Sequence, residues 1–279
     1  RVGTVAPHSD YFAFETVKAA QEGDKTKSSR YLSLEGKWKF SFAKNHNEAP
    51  QNFFVKGYDD SSWEDFPVPG LFELNGHGDA IYRNVGYAWD TQFESNPPFV
   101  EEKNNYTGSY RKQVVVPASW KGEKVYLHVG SATSNLSVWV NGKFVGYSED
   151  SKSAAEFDVT PYLTPGKENL IAMQVMRWCD GSYFESQDFW RLTCIAREVY
   201  LYARPQSHIS DVFITPDLTN NYTDGTLRVQ LQGTQCKGKS ATLTLLDAND
   251  KVVKTQIVPM AVKADVEWSI SNPLKWTAE

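Results

Sequence analysis

The 279-residue chain is poor in the residues that build cross-links and metal sites. It holds three cysteines, Cys179, Cys194 and Cys236. An odd, low count is no disulfide framework, and no C-x-x-C spacing marks a zinc site. These read as three free thiols. Five histidines (His8, His46, His77, His128 and His208) are scattered without metal-ligand spacing. No apolar run approaches the ~18 residues of a membrane span, which excludes a transmembrane helix. Positive charge is not in excess: Lys and Arg number 29 against 34 Asp and Glu, a net charge of −5. With no basic block, nucleic acid is not an expected partner. No G-x-S-x-G, H-E-x-x-H or P-loop occurs. The start shows no signal-peptide pattern, and it opens on Arg1 rather than Met, so no compartment is assigned.

What the chain has is aromatic and apolar. It is 41% hydrophobic, 23% charged and 14% aromatic, which excludes disorder. Nine Trp, fourteen Tyr and fifteen Phe suit β-sheets and sugar-stacking surfaces. At roughly 150 residues per domain the length predicts two domains, with one large β domain as the alternative.

Residues 1–30 read as an irregular segment, with a short helix over Phe14–Gln21. From Tyr31 the pattern is β. Leu34–Phe42 alternates around Trp38, Phe40 and Phe42, and Phe66–Asn75 reads as an extended loop with Pro67, Pro69 and Gly70. Gly108–Val116 and Lys124–Val129 are strand-like. Asn135–Val140 and Lys143–Tyr147 flank Asn141-Gly142, a strong hairpin signal because a type I′ turn needs positive φ at both central residues. A two-residue loop pairs Val138 with Val145 and Trp139 with Phe144. The run Asn169–Trp178 reads as a central strand, and Arg197–Ala203 as another. Past Arg204-Pro205 new strands begin at His208–Ile214. Leu227, Val229 and Leu231 share one face, as do Val266, Trp268 and Ile270. Short strands at ~8–12-residue intervals indicate β-sandwiches. The expected fold is all-β: a jelly-roll-like sandwich over 31–205, then an immunoglobulin-like sandwich over 206–279.

Several segments carry a resemblance: LEGKWKF (34–40), NYTGSYR (105–111), VYLHVGSATSNLSVWVNGKFVGYSEDSK (125–152), AEFDVTPYLTPGKENL (155–170) and RWCDGSYFESQDFWR (177–191). From about Leu34 to Tyr202 the chain resembles the N-terminal sugar-binding domain of glycoside hydrolase family 2. The 177–191 segment looks like that family's β-galactosidase branch in particular, as do IYRNV (81–85), SNPPFV (95–100) and APHSDYF (6–12). SNPLKWTAE (271–279) resembles a junction within the family's immunoglobulin-like second domain.

The resemblance implies a non-catalytic N-terminal part of a β-galactosidase that hydrolyses terminal non-reducing β-D-galactosyl residues with retention. It places both catalytic carboxylates in a (β/α)₈ barrel beyond Glu279, and implies that the last strands of the second sandwich also lie beyond it. No catalytic residue is expected in this chain. Glu48 follows Asn47 but lacks the family's strand context and is given no role. Asp188 would contact galactosyl hydroxyls and help ligate sodium, a hard cation that takes oxygen ligands, with further ligands from the barrel. Asn84 would hydrogen-bond the sugar, its amide offering donor and acceptor, and Val85 would wall the subsite. On the residues alone, Asp188 reads first as a structural hydrogen-bond acceptor, which the resemblance reverses, and Asn84 reads equally as an Asx turn. For both to serve one site, two loops about 100 residues apart must converge. Arg191 is expected in a buried bidentate carboxylate pair, and Trp139 and Phe144 as cross-strand partners rather than a sugar platform. Implied partners are galactosides such as lactose, the rest of the same polypeptide, and further copies in a homo-oligomer. Magnesium would belong to the barrel. A stand-alone carbohydrate-binding module, or a family 2 relative such as a β-glucuronidase or β-mannosidase, are the alternatives. Three glycosylation sequons begin at Asn105, Asn135 and Asn221.

Overall fold

The computed structural model describes residues 1–276; the last three residues of the 271–279 segment lie outside the described residues. The chain divides into two compact units. The first comprises Arg1–Val5 and Phe14–Ala203, the second Ala6–Ala13 and the chain from Arg204 onward. The division therefore splits the irregular 1–30 segment between the units.

The first unit is a sandwich of two sheets. One has six strands in the order Lys143–Ser148, Asn135–Val140, Glu168–Met176, Thr107–Val115, Gly36–Ala43, Glu64–Val68. The other has four, in the order Tyr31–Ser33, Val199–Arg204, Lys124–Val129, Ala155–Asp158. Their inner faces share one apolar core. Trp38, Phe40, Tyr110, Val138, Ile171 and Met173 come from the larger sheet, and Leu127, Phe157, Val199 and Leu201 from the smaller. Burying alternate side chains of both sheets is what two-layer β architecture requires. The Glu168–Met176 strand is central, as its apolar run predicts. It feeds Ile171, Met173 and Val175 into the main core, while Ala172 on its other face packs with Phe53 and Trp63 in a second cluster that Trp139 borders. Buried on both faces, it has no reason to alternate.

Three sequence expectations need correction. The Phe66–Asn75 stretch is not an extended loop throughout. Glu64–Val68 pairs antiparallel with the Gly36–Ala43 strand, Gly70–Leu71 pairs with Cys194–Ile195, and Glu73–Asn75 is a 3-10 turn. Pro67 lies opposite Lys37 on the outermost strand of its sheet, where a missing N–H breaks no ladder. In the Asn141-Gly142 hairpin, Phe144 faces Trp139 as expected, but Val138 faces Gly146 rather than Val145, because a bulge intervenes. The short helix starts later than expected and runs Val17–Glu22. Thr16 fixes its start by accepting the Ala19 N–H at 3.1 Å, and Gly23 at φ +69° ends it.

The second unit has a three-stranded sheet, His208–Thr219, Asp224–Thr234 and Lys263–Ile270, and a pair, Lys239–Leu246 with Val252–Met260. Its core joins Val229, Leu231, Val266 and Trp268 to Ala241, Val258 and Met260 of the pair. The period-2 patterns at 227–231 and 266–270 point inward as predicted.

Candidate functional site

Two short strands, Ile81–Arg83 and Phe189–Arg191, pair antiparallel with Phe189 opposite Arg83. One step further along that register, Asn84 and Asp188 leave the ladder side by side. The two loops therefore leave the same end of this two-stranded sheet. The Tyr82 hydroxyl donates to Asp188 Oδ1 at 3.1 Å. Tyr82 and Trp190 sit opposite each other with ring centroids 5.4 Å apart, and both are more than half exposed. The Asp188 carboxylate in turn raises the pKa of the Tyr82 hydroxyl, through the hydrogen bond and then its charge.

Each loop is held from behind. Arg83 pairs with both carboxylate oxygens of Asp90 at 2.8 Å, closing the Asn84–Gly86 loop. Gly86 takes φ +79°, and a Cβ there would crowd Asp90 Oδ2 at 3.1 Å. Asn84 and Val85 are left exposed at the loop tip. On the other loop, Arg191 is buried, but its partners differ from those expected. Its Nη2 donates to the carbonyls of Gln187 at 2.7 Å and Glu185 at 3.3 Å, and its Nη1 to Gln187 Oε1 at 3.2 Å. The Glu185 carboxylate lies at 3.7 Å from one guanidinium nitrogen, and there is no bidentate pair. A guanidinium with five donors satisfies a tight loop's carbonyls better than one carboxylate can. It also lies over the Phe189 ring at 4.4 Å.

Beneath the loops, Arg177 follows the Glu168–Met176 strand and is buried; its Nη2 donates to the Asp79 carbonyl at 2.7 Å. The Tyr183 hydroxyl donates to the Phe99 carbonyl at 2.6 Å and accepts the Asn96 N–H at 3.1 Å. Tyr183 thus ties the 95–100 segment to the 177–191 segment, with Trp89, Phe93 and Trp178 packed around it. Trp139 and Phe144 form a cross-strand pair 5.7 Å apart, and Phe54 stacks on Trp139 at 5.1 Å, which removes that indole from any sugar platform. Glu48 is exposed in a 3-10 turn, hydrogen-bonded to Asn45.

Sequence spacing does not reveal a neighbouring cluster. Glu149, Cys179 and Asp180 bring ligand-type atoms within 4.8 Å of one another. Burial, then a hydrogen bond that the protonated form donates to Asp180 and the negative charge of that residue, push the Glu149 carboxyl up to about 7. Burial pushes the Cys179 thiol up to about 11, so it stays protonated near neutrality. All three cysteines are free and buried. Asp188 is not part of this cluster. It offers hard-cation chemistry one carboxylate, with Oδ2 left over from the Tyr82 hydrogen bond.

The profile of the sugar-binding domain of the glycosyl hydrolases family 2 matches residues 31–205. The chain belongs to glycosyl hydrolase family 2. Among family relatives, it is 38% identical to a β-galactosidase of Priestia megaterium over 98% of this chain and 27% of that protein. It is 37% identical to one of Halalkalibacterium halodurans over 100% of this chain and 27% of that protein. The chain thus spans about a quarter of the length of the curated relatives it matches. Its fold is similar to that of Bacteroides uniformis β-glucuronidase, with a TM-score of 0.67 at 21% identity, covering 89% of this chain and 28% of that one.

Proposed function

We propose that this chain is the N-terminal, non-catalytic part of a β-galactosidase that removes terminal non-reducing β-D-galactosyl residues with retention, lactose among its substrates. The chain contributes Asn84, Val85 and Asp188 to the galactosyl subsite. The observation that carries this reading is the pairing of the 81–83 and 189–191 strands, whose register sets Asn84 and Asp188 just past the same end of one short ladder. Two polar side chains and an exposed Val85, on loops braced by the Arg83–Asp90 pair and by Arg191, make a rim suited to sugar hydroxyls. The β-galactosidase relatives favour galactose as the sugar. Asp188 supplies one oxygen to a sodium ion, and the remaining ligands, like both catalytic carboxylates and any magnesium, come from the rest of the polypeptide. Copies of the whole protein assemble as a homo-oligomer.

Retaining hydrolysis needs a nucleophile and an acid/base ~5–5.5 Å apart. Asp188 serves binding rather than either role, because its carboxylate meets the Tyr82 hydroxyl rather than a second carboxylate. Titration calorimetry of this chain with galactose and lactose tests the reading. Weak or undetectable binding is expected, together with no turnover of a nitrophenyl galactoside. Micromolar affinity for the chain by itself instead identifies a stand-alone carbohydrate-binding module, for which the exposed Tyr82–Trp190 pair is the supporting observation.

A further inference from the structure

The chain has two Asn-Gly pairs, Asn75-Gly76 and Asn141-Gly142. Asparagine is a chemically labile residue. It is most labile before glycine, whose backbone nitrogen carries no neighbouring side chain to shield it and whose dihedrals turn freely. The fold puts the two pairs in opposite situations. Asn141 is half-buried in the hairpin turn, and its amide is pinned at both ends. Its Nδ2 donates to the Tyr162 carbonyl at 2.7 Å and to Asn169 Oδ1 at 2.8 Å, and its Oδ1 accepts the Leu170 N–H at 3.0 Å. The strand pair closes directly across it, with Lys143 opposite Val140. The Asn141-Gly142 peptide therefore cannot rotate without opening the hairpin.

Asn75 is exposed at the end of the Glu73–Asn75 turn. Its amide makes one hydrogen bond, from Nδ2 to the Leu71 carbonyl at 2.7 Å, and its Oδ1 has no partner among the described residues. No strand pairing runs through this turn. The N–H groups of Asn75 and His77 both bond one acceptor, the Phe72 carbonyl, at 2.9 and 3.0 Å. Gly76 sits at φ +88°, with nothing within 4 Å of the place a Cβ would take. Its N–H bonds no acceptor among the described residues. The nitrogen that attacks and the carbon it attacks are thus both reachable and lightly held.

We propose that Asn75 is a site of spontaneous deamidation, and that Asn141, with the same dipeptide, is protected by the fold. The Gly76 backbone nitrogen attacks Asn75 Cγ. The N–Cγ bond forms, the Cγ–Nδ2 bond breaks, and Nδ2 leaves as ammonia with the proton that the Gly76 nitrogen gives up. Water then opens the resulting succinimide ring at either carbonyl, giving aspartate or isoaspartate. The product carboxylate no longer donates to Leu71, and isoaspartate adds a carbon to the backbone of the turn. That turn braces the chain two residues past the Phe189–Arg191 strand. The Phe72 N–H donates to the Thr193 carbonyl at 2.9 Å, and both Glu73 carboxylate oxygens accept the Thr193 N–H at 3.0 Å. Nothing in this chemistry depends on which sugar the parent protein hydrolyses.

The test uses this chain directly. The folded chain is aged in mildly alkaline buffer made with heavy-oxygen water and then peptide-mapped by mass spectrometry. Labelled acid is expected at position 75, part of it as isoaspartate that an isoaspartyl methyltransferase accepts. Asn141 is expected to convert about thirtyfold more slowly, the effect of two more hydrogen bonds at about 1 kcal/mol each. In urea the two pairs are expected to convert at similar rates. Equal rates at 75 and 141 in the folded chain overturn the proposal. So does an Asn75 amide that survives in the folded chain for as long as the urea-treated chain takes to convert. An undiminished gap in urea overturns it too, since the fold would then not be the source of the protection.

Discussion

The polar side chains that matter most to this fold are buried ones that complete the backbone. Asn105 is the clearest. Its Oδ1 accepts the Trp178 N–H at 2.8 Å, and its Nδ2 donates to the Trp178 carbonyl at 3.1 Å. Asn105→Ala leaves both backbone groups buried and unpaired. It is expected to cost about 2–4 kcal/mol in denaturant unfolding; a loss below about 0.5 kcal/mol, the range of an ordinary surface substitution, would count against this role. Glu149 makes the opposite contribution. Its carboxyl titrates at about 7 rather than 4.5, so the fold favours its neutral form. That stabilisation is complete below pH 4.5 and is lost as the pH rises through about 7. Glu149→Gln should therefore raise the melting temperature at pH 8 and leave it nearly unchanged at pH 4. Equal shifts at the two pH values would contradict the assignment.

At the scale of strands, close approach decides which residue a position accepts. Gly108 lies in the Thr107–Val115 strand under Phe72 and Phe40, and a Cβ there would come within 2.6 Å of Phe40 Cε2. Gly108→Ala is expected to destabilise by about 1–3 kcal/mol, as overpacking does, and a chemical melt reads it directly. Such contacts separate what was legible in the sequence from what was not. The hairpin was legible because Asn-Gly encodes its turn locally. The bulge after Phe144 was not, because its cause is distant in sequence. Val2 and Tyr147 exchange backbone hydrogen bonds of 2.8 Å in each direction, and Gly146 is the residue small enough to let that segment and Phe157 approach. The central strand announced itself by an apolar run. The strands that carry the candidate site did not, since Ile81–Arg83 and Phe189–Arg191 have three residues each, too few for a period to show. Asn84 and Asp188 were picked out by resemblance, whereas their adjacency is a product of pairing across the sequence. Arg191 was recognised as buried, but its carbonyl partners belong to a loop conformation that composition does not encode.

For the molecule as a whole, two separate apolar cores predict two separable transitions. The second unit's core is the smaller, and Trp268 is its largest member, 3% exposed and hydrogen-bonded to Gln256 at 2.6 Å. Trp268→Ala should cost about 3–5 kcal/mol and shift one calorimetric transition while leaving the other in place. A single transition moving as a unit would show the two cores to be thermodynamically one. The same burial has a practical side for producing this protein. Oligosaccharide is attached to sequons while a chain is still emerging, before any core closes. Asn105 and Asn135 end up buried, whereas Asn221 lies exposed just after the His208–Thr219 strand. In a secretory eukaryotic host, sugar added at the first two positions would have to be enclosed with them. Correct folding then requires a host that does not glycosylate, and Asn221 is the sequon of the three where the native chain tolerates a glycan.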